Sequence, residues 1–477
     1  MDSFSVLRLI FYGVYLLTVI STILIIVMEN RNPTKTLAWI LVLFFLPAVG
    51  LVFYFLFGRN NRNERIVHVD VGEFTREIFS GLFDKEHEFE IIDNKSKVKS
   101  KYHNLVNLLE NNHDSIVWYG SEVEVITSGK RKFEILLHDL ENAEHHIHME
   151  YFKFSDDQVG DRVKEILMRK AREGVEVRFI YENVGNIGTL PRYYYQMREA
   201  GVQVLPFSTA KLPWVRRSLN YRNHRKVVVI DGKVGYMGGM NIGTEYANVW
   251  RDTHLRIQGQ GVYGLQFSFL YEWYSSAGKR VDGYVNYFPE CTNYSENLIQ
   301  IDPESPAAMF PYLLFAVNEI VNSAKEYIYI QTPYYMPSES LLQALQAAAL
   351  KGVDVRLMVP KKADFFFMDY ASQSYYTDSL KAGIRIYEYQ HVFLHAKTIV
   401  SDDYLSFIGS ANMNLRSLEL SYEINSYIYD EKIASCNKAI FEEDMKNCEE
   451  IIWEKWIKRP WWRKLLESVF RLFSPLM

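Results

Sequence analysis

Cysteine is scarce in this chain of 477 residues. The three cysteines, Cys291, Cys436 and Cys448, are far apart and form no C-x-x-C spacing. Their odd number and wide separation argue against a disulfide framework and against a cysteine-ligated zinc site. The same scarcity favours a reducing compartment.

A strong net charge is also missing, because 53 basic and 58 acidic side chains leave a formal charge of −5. This balance excludes a generally basic protein that coats nucleic acid. Disorder is excluded by a hydrophobic content of 48%. Aromatic residues reach 15%, which fits contact with a membrane interface or an apolar ligand.

Charges are absent from two long runs near the N-terminus, residues 9–28 and 37–58. Each run is long enough to cross a hydrocarbon core of about 30 Å as a helix. We therefore predict a transmembrane hairpin over residues 1–59; a buried hairpin or a cleaved signal peptide fits less well. Basic residues place the termini and the following domains on the cytoplasmic side. They are Arg31 and Lys35 in the loop, and Arg8, Arg59, Arg62 and Arg65 on the outer flanks.

Beyond a polar connector at 60–115, apolar strands alternate with amphipathic helices. The pattern predicts a strand at 146–152, a helix at 160–172 and a strand at 175–181. It returns as a strand at 327–332, a helix at 338–349 and a strand at 353–359. We expect an α/β fold of two duplicated lobes, at 116–290 and 291–477, with mixed, mostly parallel sheets flanked by helices.

The repeat is tightest at an offset of 171 residues, between segments 219–246 and 390–417. The matched polar pairs are His224 and His395, Lys226 and Lys397, Asp231 and Asp402, and Asn241 and Asn412. Residues two apart on a strand share a face, so each histidine points with its lysine. If the lobes meet about a pseudo-twofold axis, both pairs converge on one cleft.

Such a cleft suits a phosphodiester. One imidazole can attack phosphorus and the other can protonate the leaving oxygen, while lysines and asparagines stabilise the charge. Asp252 and Glu423 lie 28 residues beyond the histidines and are candidates to hold their second ring nitrogens. A single such motif also fits a strand that ends in an aspartate turn; two matched copies make that interpretation improbable.

The segments HRKVVVID and HAKTIVSD resemble the paired HxKxxxxD motifs of the phospholipase D superfamily. The segments GGMN and GSANMN, which follow the two motifs, resemble the G-[GS]-x-N pattern found after the motif in this superfamily. Ser410 matches the pattern, whereas Gly239 replaces a serine that is common there. This departure puts one phosphate hydrogen bond in doubt. The N-terminal run and WRDTHLRI resemble segments of bacterial cardiolipin synthases. The resemblance covers nearly the whole chain.

The resemblance implies transfer of a phosphatidyl group from one phosphatidylglycerol to another, which gives cardiolipin and glycerol through a phosphatidyl-histidine. It assigns catalysis to both His/Lys/Asp sets, with His224 as nucleophile and His395 as general acid, although the sequence does not break their symmetry. The residues expected to bind phosphate or support the site are Asn241, Asn412, Gly239, Ser410, Asp252 and Glu423. No metal or other cofactor is expected.

The expected partners are phosphatidylglycerol, cardiolipin and the bilayer, without nucleic acid. The expected location is the bacterial cell membrane, as a multi-pass protein with cytoplasmic lobes. The oligomeric state is open, and a homodimer is one arrangement. Three alternatives share the motifs: a phospholipase D-type hydrolase, a nuclease and a catalytically inactive scaffold. Acidic net charge argues against the nuclease, and intact paired motifs argue against the scaffold.

Three further segments carry unusual residues. His145, His146 and His148 could ligate a metal, but a polar strand end lining the cleft is the favoured interpretation. Lys211, Arg216, Arg217 and Arg222 surround Trp214 in a segment that suits a membrane-contacting loop. The basic, aromatic C-terminal segment from Trp453 fits either an interfacial anchor or a helix that packs on the second lobe.

Overall fold

The computed structural model describes residues 3–28, 33–54, 95–111, 115–207, 221–292 and 294–474. Within these ranges the chain forms two mixed β-sheets, one of seven strands and one of nine. Helices flank the sheets, so the expected duplicated α/β architecture is confirmed.

The strands are β1 (Val117–Tyr119), β2 (Glu122–Ile126), β3 (His146–Tyr151), β4 (Glu176–Tyr181), β5 (Gln203–Pro206), β6 (Lys226–Ile230), β7 (Val234–Gly238), β8 (His254–Gln258), β9 (Leu298–Glu304), β10 (Tyr327–Gln331), β11 (Asp354–Pro360), β12 (Arg385–Tyr389), β13 (Thr398–Ser401), β14 (Leu405–Gly409), β15 (Glu423–Tyr429) and β16 (Cys448–Glu450).

The helices are α1 (Ser3–Met28), α2 (Pro33–Phe45), α3 (Pro47–Phe53), α4 (His103–Glu110), α5 (Gly129–Glu141), α6 (Gln158–Arg172), α7 (Pro191–Glu199), α8 (Thr244–Asn248), α9 (Gly261–Ala277), α10 (Tyr312–Ser323), α11 (Glu339–Leu350), α12 (Phe366–Gln373), α13 (Tyr376–Lys381), α14 (Leu415–Glu419), α15 (Glu431–Met445), α16 (Trp453–Trp456) and α17 (Trp461–Arg471).

The predicted strand–helix–strand units are present in both lobes. In the first, β3 and β4 flank α6, which begins where the Asp157 side chain accepts hydrogen bonds from the amides of Val159 and Gly160 at 3.0 Å. The chain leaves α6 at Gly174, whose φ of +96° is the left-handed conformation that favours glycine. The second unit, β10–α11–β11, follows the same order.

The sheets are mixed, but the expectation that they are mostly parallel is wrong. The seven-stranded order is β2-β8-β7-β6-β3-β4-β5, and the nine-stranded order is β1-β9-β15-β14-β13-β10-β11-β12-β16. Only β3–β4–β5 and β10–β11–β12 run parallel. The motif strands β6 and β7 are joined by a turn of three residues, 231–233, and a turn this short joins antiparallel neighbours.

The two sheets share an apolar layer, which brings the motif strands of both lobes together. Val227 and Val229 of β6 face this layer, while Val228 and Ile230 face the helices of their own lobe. The second sheet contributes isoleucines from three strands, namely Ile299, Ile301, Ile408, Ile424 and Ile428. Burial of this shared layer stabilises the lobe–lobe interface.

Two features differ from the expected division of the chain. We expected 60–115 to lie outside the core, yet Tyr102, Leu105 and Leu109 are fully buried against the second lobe. The amphipathic pattern of this short segment explains the burial. In addition, β1 lies within the range expected for the first lobe but pairs with β9 in the second sheet.

The N-terminal runs form helices of unequal length. Helix α1 contains an apolar stretch, Phe11–Met28, that is long enough to cross a membrane. The second run is divided into α2 and α3 at Pro47, because proline cannot donate a backbone hydrogen bond. Ile26 of α1 contacts Leu43 of α2 and Tyr54 in an apolar cluster. Arg31, Arg59, Arg62 and Arg65 lie outside the described residues.

Candidate active site

Both motif histidines lie at the joint between the lobes. The backbone amide of His224 donates to Tyr422 of the second lobe at 2.8 Å, and that of His395 donates to Arg251 of the first at 2.7 Å. His224 lies two residues before the first residue of β6, and His395 lies three residues before that of β13. The Nζ of Lys226 donates to the carbonyl of His224, and the Nζ of Lys397 donates to that of His395. Each lysine ammonium group therefore lies against the backbone of its own motif histidine.

Asp252 and Glu423 hold the histidine rings, but the pairing crosses between the lobes. Nδ1 of His224 lies 3.0 Å from Oε2 of Glu423, and Nδ1 of His395 lies 2.6 Å from Oδ2 of Asp252. Both carboxylates are fully buried. Because Nδ1 of each ring faces a carboxylate, the Nε2 atoms are left for a substrate. Neither lobe alone contains a complete histidine–carboxylate pair.

Burial controls the charge of the histidines and lysines of the site. It lowers the pKa of His224, and it lowers the pKa of His395 to about 3 with a further contribution from Lys397. Burial also lowers the pKa of Lys397 to about 8. The pKa of Asp252 is raised by burial, but His395 and Lys397 outweigh this effect and lower it overall. An anion that enters the site would favour the protonated imidazoles and lysines.

The two asparagines differ in their surroundings although both line the same pocket. The Nδ2 of Asn241 donates to the Tyr246 hydroxyl at 2.7 Å, and its Oδ1 accepts from the Lys153 amide at 3.1 Å. For Asn412, the buried Oδ1 has no hydrogen-bond partner among the described residues. Asn412 is therefore the more available of the two for a bound ligand.

Ser410 and Gly239 lie behind the carboxylates rather than in the pocket. The Ser410 hydroxyl is fully buried and donates to Oε2 of Glu423 at 2.5 Å. At Gly239, an added Cβ would lie 2.1 Å from Oδ1 of Asp252, which leaves no room for a serine in this geometry. The glycine at position 239 was expected to cost a hydrogen bond to phosphate. In the structure it instead removes a hydroxyl that would lie beside the Asp252 carboxylate.

Asp231 and Asp402 are not part of the pocket, which corrects their assignment as catalytic residues. They follow the far ends of β6 and β13 in the left-handed conformation, with φ of +53° and +49°. Asp231 accepts from the amides of residues 144–146 at 2.8–2.9 Å, and Asp402 accepts from those of 325–327 at 2.8–3.0 Å. Each carboxylate ties a hairpin turn to the beginning of a neighbouring strand.

The pocket contains both histidines and several residues that the motifs did not indicate. Trp250 packs beside His395, with ring centroids 5.1 Å apart, and Phe152 lies 5.1 Å from His224. Trp250 opens a segment already singled out by resemblance, whereas Tyr334 and Asp364 lie outside the repeated segments, where no sequence signal marked them. The further lining residues are Arg222, Asn241, Tyr246, Phe365, Met368, Asn412, Asn414, Arg416, Ser417 and Ser421.

The histidines of β3 lie away from this pocket, so the expectation that they line the cleft is wrong. His146 and His148 are fully buried, and both contact Gln266 of α9. Nη1 of Arg178 lies 3.0 Å from Nε2 of His148. Burial lowers the pKa of His146 to about 4. No group of three metal-ligating side chains with suitable geometry occurs among the described residues.

The basic segment around Trp214, including Lys211, Arg216 and Arg217, lies outside the described residues. Arg222, at its end, lines the pocket.

The comparisons with known proteins agree with this architecture. A family described as "Cardiolipin synthase, PLD-like domain" matches residues 136–266 and 317–445, and one described as "Phospholipase_D-nuclease N-terminal" matches 16–59. The phosphatidylserine synthase structure from Haemophilus influenzae shares the fold, with a TM-score of 0.61 and 13% identity over 80% of this chain and all of that one. The duplicated lobes thus define a protein of the phospholipase D superfamily.

Curated relatives narrow the class further. The cardiolipin synthase of Halalkalibacterium halodurans is 37% identical, over 97% of this chain and 92% of its own length. The major cardiolipin synthase ClsA of Bacillus subtilis is 36% identical, over 97% and 98%. The chain belongs to the cardiolipin synthase family.

Proposed function

We propose that the protein transfers a phosphatidyl group from one phosphatidylglycerol to the hydroxyl of a second, which forms cardiolipin and releases glycerol. Similarity to cardiolipin synthases over nearly the full length supports this reaction. The observation that carries the mechanism is the crossed arrangement of His224 with Glu423 and His395 with Asp252 around one pocket.

In the first step, Nε2 of His224 attacks the phosphorus of phosphatidylglycerol. The P–N bond forms as the bond from phosphorus to the glycerol oxygen breaks, and His395 donates a proton to that oxygen. Lys226, Lys397 and Asn412 stabilise the non-bridging oxygens. The negative charge of the substrate raises the pKa of His395 from about 3, so the protonated acid is generated as the substrate binds.

In the second step, a new phosphatidylglycerol takes the place of glycerol. Neutral His395 removes a proton from its hydroxyl, the P–O bond forms and the P–N bond breaks, which regenerates His224. One phosphodiester is exchanged for another, so the reaction is close to thermally neutral and reversible. Excess glycerol should therefore convert cardiolipin back to phosphatidylglycerol.

The attachment to the membrane follows from two apolar features. We infer that 9–28 and 37–58 form a transmembrane hairpin, with the lobes on the cytoplasmic side of a bacterial cell membrane. Helix α17 packs Phe470 against Tyr370 with ring centroids 5.7 Å apart, and it buries Glu467 in a 2.6 Å ion pair with Arg459. Its other face exposes apolar side chains, so the two interpretations of this segment are compatible.

We assign the exposed face of α17 to the bilayer interface. Trp461 and Leu465 are 75% and 54% exposed, and Arg463 and Lys464 on the same helix suit anionic lipids. The surface continues over exposed Phe366, which contacts Phe470, to Phe365 at the pocket. A lipid head group could therefore reach the histidines from the membrane.

Full-length protein in phosphatidylglycerol vesicles tests both parts of this proposal. Thin-layer chromatography should show cardiolipin and glycerol; phosphatidic acid alone would indicate the hydrolase. Replacing Trp461 and Leu465 by serine should lower synthesis several-fold in vesicles but not in detergent–lipid micelles, where no docking is needed. Arg385→Ser, which breaks an exposed ion pair with Glu450 and removes no apolar side chain, is the matched control. Equal loss in both media would contradict membrane docking.

A further inference from the structure

The pocket is not symmetric in charge although the two motifs are repeated. Two arginines, Arg222 and Arg416, line the pocket. Arg416 interacts electrostatically with Glu423, the carboxylate that pairs with His224. Arg222 precedes His224 by two residues, and its carbonyl accepts from the Tyr422 amide at 2.9 Å. Burial and the neighbouring Arg222 lower the pKa of Arg416 to about 10, so that it remains cationic at neutral pH. These two cations favour an anionic group.

A carboxylate lies on the side of His395. The ring of Phe393 is 5.8 Å from His395 and 6.3 Å from Tyr334, which links the three side chains into one wall. The Tyr334 hydroxyl donates to Oδ1 of Asp364 at 2.7 Å. Burial and Asp364 raise the pKa of Tyr334 well above its ordinary value, so the phenol stays protonated and donates. Asp364 is exposed at the pocket and acts electrostatically on Lys397.

An exposed carboxylate in this position disfavours a second anion but accepts hydrogen bonds from hydroxyl groups. The leaving glycerol and the glycerol head group of the incoming lipid both carry a secondary hydroxyl next to the reacting oxygen. This hydroxyl is uncharged and takes no part in bond making. It is therefore the group that a carboxylate beside the general acid can select.

We propose that Asp364, positioned by Tyr334, binds the secondary hydroxyl of the glycerol group on the His395 side of the pocket. The inference rests on the proposed phosphatidyl transfer and gives it an alcohol specificity. It also breaks the symmetry of the histidines. The alcohol lies beside His395, which serves as acid and base, and in-line attack then comes from His224.

Competition between alcohols tests this subsite in the full chain. Unlabelled phosphatidylglycerol in mixed micelles would be incubated with radiolabelled glycerol or with radiolabelled propane-1,3-diol, which lacks only the secondary hydroxyl. The initial rates at which each label enters phospholipid would then be compared. The wild type should prefer glycerol by about tenfold, the typical effect of one charge-assisted hydrogen bond. In Asp364→Ala the preference should fall to within about threefold, mainly through a higher KM for glycerol.

Two further variants keep the result interpretable. Tyr334→Phe leaves Asp364 in place without its donor, and the preference should fall by an intermediate amount. Asp378→Ala removes a half-exposed carboxylate of the same lobe that pairs with Arg471 at 3.3 Å, and it should keep the wild-type preference.

An unchanged preference in Asp364→Ala would overturn the subsite, as would equal losses of transfer to both alcohols in that variant. Failure of the wild type to transfer phosphatidyl groups to either alcohol would instead overturn the proposed function. The two failures are therefore distinguishable.

Discussion

The two lobes place the same motif in different surroundings. In the first lobe Asp252 lies against Gly239, whereas in the second Glu423 accepts a hydrogen bond from Ser410. Asp252, which has no serine beside it, lies 2.6 Å from the imidazole of His395. Glu423, which has one, lies 3.0 Å from the imidazole of His224. Each carboxylate contacts the histidine of the opposite lobe. A substitution beside a carboxylate in one lobe is therefore expected to alter the position of the catalytic imidazole in the other.

The difference extends to the strands beside the motifs. Asp231 accepts a hydrogen bond from the amide of His146, and Asp402 accepts one from the amide of Tyr327. His146 and Tyr327 therefore occupy equivalent positions in the two lobes. The first lobe therefore buries histidines where the second buries tyrosines. The duplicated backbone tolerates either type at these positions, but only a histidine there titrates in acid.

The largest expected effect comes from removing either imidazole. His224→Ala and His395→Ala should each lower cardiolipin formation by about 10³-fold or more, because each ring has a separate task. Radiolabelled phosphatidylglycerol measures both turnover and trapping. His395→Ala should still trap some acid-labile phosphatidyl-enzyme, and His224→Ala none. The opposite labelling would reverse the roles, and near wild-type turnover in either variant would refute the two-histidine mechanism.

Exchanging the small residues behind the carboxylates should affect the lobes unequally. In Gly239→Ser the new Cβ would collide with Asp252 and displace it from His395, so we expect a loss of kcat of about 10²-fold. Ser410→Gly removes one hydrogen bond to a buried carboxylate, worth about 1.5 kcal/mol, so the loss should be about tenfold. Steady-state rates with matched circular dichroism spectra would check this; equal losses would contradict the structural asymmetry.

Acid should destabilise the protein through the first lobe. The pKa of His146 falls to about 4 in the folded state, whereas the unfolded chain binds this proton near pH 6.5. The unfolded state therefore gains protons first, and stability decreases as pH falls from about 6.5 to 4, by on the order of 3 kcal/mol. His146→Gln should flatten this dependence of the melting temperature, and Tyr327→Phe should not. Parallel pH profiles for His146→Gln and the wild type would refute the assignment.

Chelation should have the smallest effect. In the proposed mechanism, Lys226, Lys397 and Asn412 supply the charge stabilisation that a metal ion could provide. Cardiolipin formation is therefore expected to stay within about twofold after exhaustive treatment with EDTA. Loss of activity that one divalent ion restores would show that a metal ion supplies the charge stabilisation. The differences between the two lobes would then not explain catalysis.

Local patterns predicted much of this molecule. The strand–helix–strand units around α6 and α11 follow from apolar periodicity and from caps such as Asp157 and Gly174, which act within a few residues. The matched spacing of His224 and His395 indicated a shared site before any geometry was known. The prediction that most strands run parallel was wrong, because the neighbours of a strand in a sheet depend on which distant segments pair.

The duplication, the apolar N-terminal runs and both histidine–lysine pairs can be identified from the amino-acid sequence, because each is a pattern of spacing along the chain. The pairing of Glu423 with His224 and of Asp252 with His395 emerges only from the folded chain, across separations of 199 and 143 residues. Asp231 and Asp402 lie outside the pocket in the folded chain, whereas Tyr334 and Asp364 line it. Contacts between lobes depend on how two sheets pack, and no local periodicity encodes that packing.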